Sequence, residues 1–263
     1  MPAALSAHIA GIGLVAPGLA DWPGAAAVLA GERPYQPAPT VLPVIDTLPP
    51  AERRRTGATV RLAVAAARQA VTEAGVDPTT LATVFASSGA DGAICHEICV
   101  TLASEDRQLS PTRFHNSVHN AAAGYWSIAM KATARSNVLC AFDGSFGAGL
   151  LEATTQVVVD GEPVLLVAYE TGYPEPLHAK RPLPGAFGVA LLLDPRAGAW
   201  ARIEVALTDE PADTMRHAPL EALRTASPTA RSLPLLQRLA RAEHGRTVLD
   251  YLDGQRLRIE VAA

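Results

Sequence analysis

Asn137-Val-Leu-Cys-Ala-Phe-Asp-Gly-Ser145 opens the stretch that decides the fold of this chain. It continues as Phe146-Gly-Ala-Gly-Leu-Leu-Glu-Ala-Thr-Thr-Gln-Val-Val-Val159 and Asp160-Gly-Glu-Pro-Val-Leu-Leu-Val-Ala-Tyr-Glu170. The first segment is a short apolar run that ends in turn residues, and Val164 to Ala168 is typical of a buried strand. Between them, apolar side chains recur at helical spacing, at Phe146, Leu150, Ala153 and Val157. The stretch therefore predicts a strand, a tight elbow, a buried helix that ends at Asp160-Gly161, and a second strand.

The elbow is where chemistry is expected, because the backbone N–H groups at a helix start favour negative charge. Asp143-Gly144-Ser145 occupies this position. An aspartate there is a good helix cap and a poor nucleophile. We interpret the segment as the elbow of an acyl-transfer enzyme whose nucleophile is absent.

Composition limits the class of protein. The 263 residues are 49% hydrophobic, and the formal net charge is −4, which gives no reason to expect nucleic acid or an anionic membrane as partner. Three scattered cysteines favour a reduced compartment. The start Met-Pro-Ala-Ala-Leu lacks a basic signal region, and no apolar run reaches the roughly 18 residues that span a bilayer. We therefore expect a cytoplasmic α/β protein that needs no metal and no cofactor.

Hydrophobic periodicity predicts further elements on both sides of the central stretch. Strands are predicted at His8–Val15, Leu81–Ser87 and Arg256–Val261, and a hairpin of two strands at Ala186–Leu193 and Trp200–Leu207. Helices are predicted at Trp22–Gly31, from Val60 to a stop at Gly75, and at Ala93–Ala103, Ala121–Ala132 and Leu233–His244. Ser110 to Asn120 is predicted to be a polar loop, with Pro111 opposing an early helix start.

Four motifs leave a functional and a structural interpretation open. Gly11-x-Gly13 begins like a dinucleotide fingerprint, but the third glycine is missing. Cys95 and Cys99 share a helix face, which permits a metal site, although packed core thiols are favoured. The run Glu52-Arg-Arg-Arg55 fits an acidic partner or a solvated helix start, the latter being favoured. His115 and His119 are candidates for acid–base chemistry or for loop histidines that bond backbone, and again the second is favoured.

Three segments resemble the N-terminal half of β-ketoacyl synthases, in the thiolase-like group. Ile9-Ala-Gly-Ile-Gly-Leu-Val-Ala-Pro17 is similar to the opening strand of that family, and Arg61 to Gly75 is similar to its second helix. The most specific pattern is Ser110-Pro-Thr-x-Phe114-x-x-Ser117-x-x-Asn120-x-x-x-Gly124-x-x-Ser127-Ile128, which resembles the loop and helix before the catalytic strand. The resemblance covers roughly residues 5 to 194. It implies a thiolase-like α/β fold: one truncated ketosynthase-like domain over 1–263, with a short C-terminal αβ tail at 195–263.

Two departures from the family pattern decide the function that the resemblance implies. The family carries Ala-Cys-x-Ser-Gly at the elbow, and its thiolate accepts the acyl group. This chain has Ala141-Phe-Asp-Gly-Ser145, which puts Asp143, or Phe142 if the register shifts by one, in the place of the cysteine. Cys140 comes too early. The two catalytic histidines of the family's C-terminal half have no matching motif either.

The resemblance is strongest to the short chain-length-factor-like proteins of aryl polyene and type II polyketide systems. It implies a catalytically inactive subunit in a heterodimer with an active β-ketoacyl synthase, which in turn works with an acyl carrier protein. In such proteins the region from Ser110 to Met130 lies near the dimer interface and the acyl tunnel. The residues carried over to that surface are Phe114, Ser117, Asn120, Gly124, Trp126 and Met130.

Two alternatives stay open at this stage. Asp143-Gly-Ser145-Phe-Gly147 nearly matches a nucleophile elbow, so a serine hydrolase or acyltransferase would use Ser145 with Asp209 and His217 or His244. A purely structural subunit would only stabilise its ketosynthase. In either case, the loss of half of a two-sheet fold would bare an apolar face, which the tail from Ala201 to Ala263 or another chain must cover.

Overall fold

The computed structural model describes residues 5–196 and 200–262, which form one mixed eight-stranded sheet with helices on both faces. The strands are β1 (Leu5–Val15), β2 (Ala82–Ala86), β3 (Ser136–Leu139), β4 (Val164–Glu170), β5 (Phe187–Asp194), β6 (Ala201–Thr208), β7 (Gly245–Leu252) and β8 (Gln255–Ala262). The helices are α1 (Trp22–Ala30), α2 (Pro50–Arg53), α3 (Ala58–Ala74), α4 (Gly92–Ala103), α5 (Pro111–Asn116), α6 (Ala121–Met130), α7 (Ser145–Asp160), α8 (Ala218–Ala226) and α9 (Leu233–Ala240). None of the described helices is long and apolar enough to cross a membrane.

The strands lie in the order β3-β2-β4-β5-β1-β6-β8-β7. The β3-β2-β4 part is parallel, and the remaining pairs are antiparallel. The predicted hairpin of β5 with β6 is wrong, because β1 lies between these two strands and pairs with both. An apolar strand of 11 residues is best buried at the centre of a sheet, and two partners bury it there. β7, an edge strand that pairs with β8, was not predicted from the sequence.

The central prediction is confirmed. β3 leads through an elbow into α7, whose Phe146, Leu150, Ala153 and Val157 are fully buried. The helix ends at Gly161, where φ is +69°, a conformation that glycine adopts without strain. β4 follows, and all of its residues are buried.

The C-terminal tail extends the sheet with β6, β8 and β7, and apolar side chains of the tail join the core beneath α7. Leu249, Leu257 and Ile259 belong to one apolar core with Phe146 and Leu150. The chain at Tyr251 comes so close to the start of α7 that a Cβ at Gly144 would lie 2.7 Å from the Tyr251 carbonyl oxygen. The tail thus supplies part of the cover that a shortened fold of this kind needs.

Gly11 and Gly13 have a packing role. A Cβ at Gly13 would lie 2.0 Å from the carbonyl oxygen of Ala66, and one at Gly11 would lie 2.2 Å from that of Ala70. Both carbonyls belong to α3, so the two glycines let this helix lie directly on β1. Close helix–strand packing accounts for the Gly-x-Gly pattern without a nucleotide.

Two predictions around α4 and α5 are wrong. Cys95 and Cys99 are exposed rather than packed in the core, because only Gly92 of α4 is buried. The predicted loop contains a helix, α5, which begins at Pro111. Proline is well tolerated at the first position of a helix, where its missing N–H is not needed, and Ser110 caps the turn by accepting a hydrogen bond from the Arg113 N–H. Pro111 therefore starts the helix instead of preventing it.

Candidate functional site

The candidate site lies where the parallel strands β2, β3 and β4 end, the edge at which α/β proteins usually place their ligands. Ser87 and Ser88 follow β2, the elbow at Phe142 to Ser145 follows β3, and Glu170 ends β4. Arg181, from the segment between β4 and β5, joins them. We refer to these residues as the elbow site.

The elbow turns sharply at Phe142. Its φ is +49°, which is uncommon for a residue with a side chain and marks backbone strain. Residues Phe142–Gly144 form a single 3-10 turn, and α7 begins directly after it. The Phe142 ring is 62% exposed, and the Arg181 guanidinium lies 4.0 Å from the ring centroid. The apex of the elbow therefore carries an aromatic side chain held in a cation–π contact.

Asp143 does not cap α7, and that prediction is wrong. Its carboxylate instead accepts a hydrogen bond from Arg181 Nη2 at 2.6 Å, and Arg231 Nη2 lies 3.4 Å from the other oxygen. Gly144 occupies the cap position, without a side-chain bond. The carboxylate binds two arginines from distant segments instead of the backbone N–H groups at the helix start, because hydrogen bonds between two charged groups are stronger.

Ser145 is buried, and its hydroxyl is engaged with the backbone of the elbow. The Oγ donates to the Phe142 carbonyl at 2.7 Å and accepts from the Ala141 N–H at 3.0 Å. Neither bond involves a histidine, and His217 lies edge-on to the ring of Tyr35. Ser145 is placed to brace the strained turn rather than to attack a substrate.

Glu170 is one of the members of the site that were not predicted from the sequence. Its carboxylate is buried and accepts hydrogen bonds from the Ser88 N–H at 2.5 Å and the Ser88 Oγ at 2.8 Å. Burial raises the pKa of Glu170 to about 7, while the Ser88 hydrogen bonds and the charge of Arg181 oppose the rise. A lone carboxylate that ends an apolar strand was the signal available in the sequence.

Glu170 should make stability depend on pH. A buried acid whose pKa is raised from 4.5 to about 7 favours folding below pH 4.5, and this contribution disappears as pH rises to about 7. The loss corresponds to about 3 kcal/mol at 1.36 kcal/mol per pH unit. We expect Glu170→Gln to lose less stability than the wild type between pH 5 and pH 8 in urea unfolding.

The matched control for this experiment is Glu162→Gln, because the Glu162 side chain is exposed. That variant should follow the wild-type pH profile. If Glu170→Gln and the wild type lose the same stability over this pH range, Glu170 does not titrate as described.

Of the six residues predicted at the tunnel or dimer surface, five are at least partly exposed and one, Trp126, is buried. Phe114 is exposed, and a Cβ at Gly124 would have no described atom within 4 Å. Ser117 Oγ donates to the Phe114 carbonyl at 2.8 Å. Trp126, a residue of α6, is buried in the core together with residues of α3. Asn120 precedes α6 and Met130 ends it, half-buried.

His115 and His119, the two histidines of this region, have different environments. His119 Nε2 lies 3.2 Å from the Ser87 carbonyl oxygen, whereas His115 is exposed on α5. The prediction that such histidines bond backbone is confirmed for His119. Among residues 5–196 and 200–262, no three His, Cys, Asp or Glu side chains are arranged to hold a metal ion.

A second surface feature is formed by α4, α5 and the turn after α5, which we call the 92–118 hairpin. The sequence of α4 is apolar on nearly all sides, yet only its first residue is buried. A helix of this composition is normally covered. The exposed large apolar side chains of the 92–118 hairpin are Val100, Leu102, Phe114 and Val118.

The strand β3 lies at one edge of the sheet, and its residues Ser136 and Asn137 are exposed.

Comparison with known proteins gives a consistent result. The family described as “Beta-ketoacyl synthase, N-terminal domain” matches residues 28–250. A chain of the solved structure of a ketosynthase (ApeO) in complex with its chain length factor (ApeC) from Xenorhabdus doucetiae is 26% identical. That match covers 97% of this chain and 99% of the other, with a TM-score of 0.74.

Two further solved structures share the fold at lower identity. A chain of the ishigamide ketosynthase/chain length factor is 13% identical, with a TM-score of 0.72 and coverage of 98% and 99%. A chain of AntDE:AntF, a type II PKS acyl-carrier protein in complex with its ketosynthase, is 11% identical, with a TM-score of 0.74 and coverage of 99% and 100%. No match was found among curated proteins. The predicted thiolase-like α/β fold, the N-terminal half of a ketosynthase with a shortened C-terminal part, is confirmed.

Proposed function

Because the chain belongs to the β-ketoacyl synthase N-terminal domain family, we propose that it is a chain-length-factor-like subunit without a condensing centre of its own. It pairs with an active ketosynthase in aryl polyene or related polyketide biosynthesis. The partner supplies the thiolate and the catalytic histidines, and this chain shapes the acyl tunnel. The observation that carries the proposal is the elbow, which is built as in an acyl-transfer enzyme but carries no thiol at its apex.

The residue that stands in the place of the family's cysteine is Phe142 in this proposal. A nucleophile at a strand-to-helix elbow occupies the strained, exposed position of the turn. Phe142 has the positive φ and the exposed side chain, whereas Asp143 is tied to two arginines. Cys140 lies before the turn, and its thiol donates a hydrogen bond to the Ser88 carbonyl.

The pairing with another chain is supported by the 92–118 hairpin. An apolar helix left open to water is unfavourable, because each large apolar side chain gains about 1.5–3 kcal/mol when it is fully buried. A second chain would also gain from β3, which offers a sheet edge for strand pairing. The solved complex at 26% identity is described as a ketosynthase with its chain length factor, which fits a ketosynthase as the occupant.

We propose length control, rather than stabilisation alone, for the hairpin because the Phe114 side chain is 62% exposed. A bulky side chain of this kind would form the wall that a growing acyl chain meets. Phe114→Ala in the intact complex should lengthen the product. An unchanged product length would instead favour the purely structural subunit.

The proposal is tested with the purified chain and with its complex. Incubated alone with acyl and malonyl carrier-protein thioesters, the chain should gain no acyl mass and form no product. The complex should form product, and the acyl mass should be found on the ketosynthase subunit. Cys140→Ser serves as the control for adventitious acylation next to the elbow. If the chain alone condenses a malonyl unit, or if Ser145 is acylated, the proposal fails.

A further inference from the structure

A cleft of about 580 Å³ lies on the molecule beside the start of α1. It forms where β1 loses its neighbour, because β6 pairs with β1 only as far as Ile9. Beyond that point, side chains of α3 replace a strand: Glu73 accepts from the Ile12 N–H at 2.5 Å, and Gln69 accepts from the Leu14 N–H at 3.0 Å. The irregular segment from Pro43 to Asp46 also lines the cleft.

The floor and walls of the cleft are largely apolar. Ile12, Trp22, Ile45 and Val64 are buried, whereas Val44 is 61% exposed. The volume falls within the range of about 300–1,000 Å³ that is usual for small-molecule sites, which are mostly apolar with few polar groups. In size and lining, the cleft matches such a site.

The polar groups of the cleft are mostly engaged within the protein. Gln69 Oε1 also accepts from the Trp22 N–H at 3.3 Å, and its Nε2 donates to the Ala20 carbonyl at 3.1 Å. Arg68 pairs with Asp46 at 2.5 Å. By contrast, Trp22 Nε1 is buried and has no hydrogen-bond partner within the described part of the chain. This donor has almost no accessible surface, so apolar contacts rather than hydrogen bonds must supply most of the affinity of a ligand in the cleft.

The charges at the cleft select against anions. Asp21, Asp46 and Glu73 line it, and Arg68 is the one basic side chain among its lining residues within the described part of the chain. A ligand carboxylate or phosphate would therefore face more negative than positive charge.

We propose that this cleft binds an uncharged, mainly apolar small molecule. The inference goes beyond the proposed function, because the cleft is built by β1, α1 and α3 rather than by the elbow site. Its test needs no ketosynthase, so its failure leaves the proposed function untouched.

Intrinsic tryptophan fluorescence is the direct measurement. Trp22 lines the cleft, and its ring centroid lies 5.6 Å from that of Trp200 in an edge-to-face contact. The purified full chain is titrated with N-octylacetamide, which is neutral and carries a carbonyl, and with octanoate, an anion of similar chain length. We expect a saturable signal with the amide and at least tenfold weaker binding of octanoate, which corresponds to about 1.4 kcal/mol.

Two valines of the same irregular segment provide matched variants. Val44 lines the cleft, whereas Val41, which is 78% exposed, does not. Val44→Asp should weaken amide binding by about tenfold or more, and Val41→Asp should leave it unchanged. Thermal unfolding followed by circular dichroism checks that both variants stay folded. No saturable signal, equal effects of the two variants, or octanoate that binds as tightly as the amide would each overturn the inference.

Discussion

Gly13→Ala is expected to destabilise the protein by about 3 kcal/mol, at the upper end of the usual cost of overpacking a core. The added Cβ would lie 2.0 Å from the Ala66 carbonyl oxygen and 2.9 Å from the Gln69 Cβ. The first of these is a backbone atom of α3, so no side-chain rotation relieves the clash and the helix itself must move. That helix packs against the central strand, so its displacement disturbs the core on that face of the sheet. Urea unfolding at pH 7 measures the loss.

Gly124→Ala is the control. Gly124 lies inside α6, and among the described residues no atom outside the backbone of that helix would lie within 4 Å of an added Cβ. Alanine is favoured over glycine in a helix interior by about 1 kcal/mol, so this variant should be slightly more stable than the wild type. If Gly13→Ala is as stable as the wild type, α3 does not lie as close to β1 as the structure shows.

A double substitution in the 92–118 hairpin, Val100→Asp with Leu102→Asp, is expected to weaken binding to the ketosynthase more than a hundredfold. Both side chains are exposed in the isolated chain, so its own stability should change little. In the proposed complex they are buried, and two buried aliphatic side chains contribute about 3 kcal/mol or more, which equals at least a hundredfold in the dissociation constant. Binding is measured by calorimetry or by co-purification at several concentrations.

Leu207→Asp provides the matched control for the hairpin. Leu207 is 46% exposed and Leu102 is 48% exposed, but Leu207 lies on β6. A charge at this position should leave the complex intact. A double variant that binds like the wild type, or a Leu207 variant that binds equally poorly, would show that the ketosynthase does not cover the hairpin.

The sequence predicted those elements whose signal is local. The apolar spacing of α7, the glycine that ends it and the apolar run of β4 all lie within one short stretch, and each is confirmed. Strand pairing carries no comparable local signal. The alternation of β5 and β6 resembled a hairpin, but their shared partner β1 lies at the other end of the sequence.

In the candidate site, too, local features could be predicted and long-range contacts could not. The elbow could be predicted, because strand, turn and helix follow one another in the chain. Its electrostatics could not, because Arg181 and Arg231 reach Asp143 from segments far along the sequence. The exposure of Cys95 and Cys99 was mispredicted for a related reason. An apolar helix indicates that something covers it, but it does not indicate whether the cover is the same chain.

The position of β1 at the centre of the sheet has a consequence for synthesis on the ribosome. Its residues His8 and Leu5 pair with Asp194 and Val205, so β1 is translated long before the strands that it pairs with. At about 5–20 residues per second, the delay is on the order of ten seconds or more. During this time Ile9, Ile12 and Leu14 have no sheet to enter, and closing so long a loop slows folding further. We therefore expect the apolar residues of β1 to stay without their native contacts until β5 has been translated.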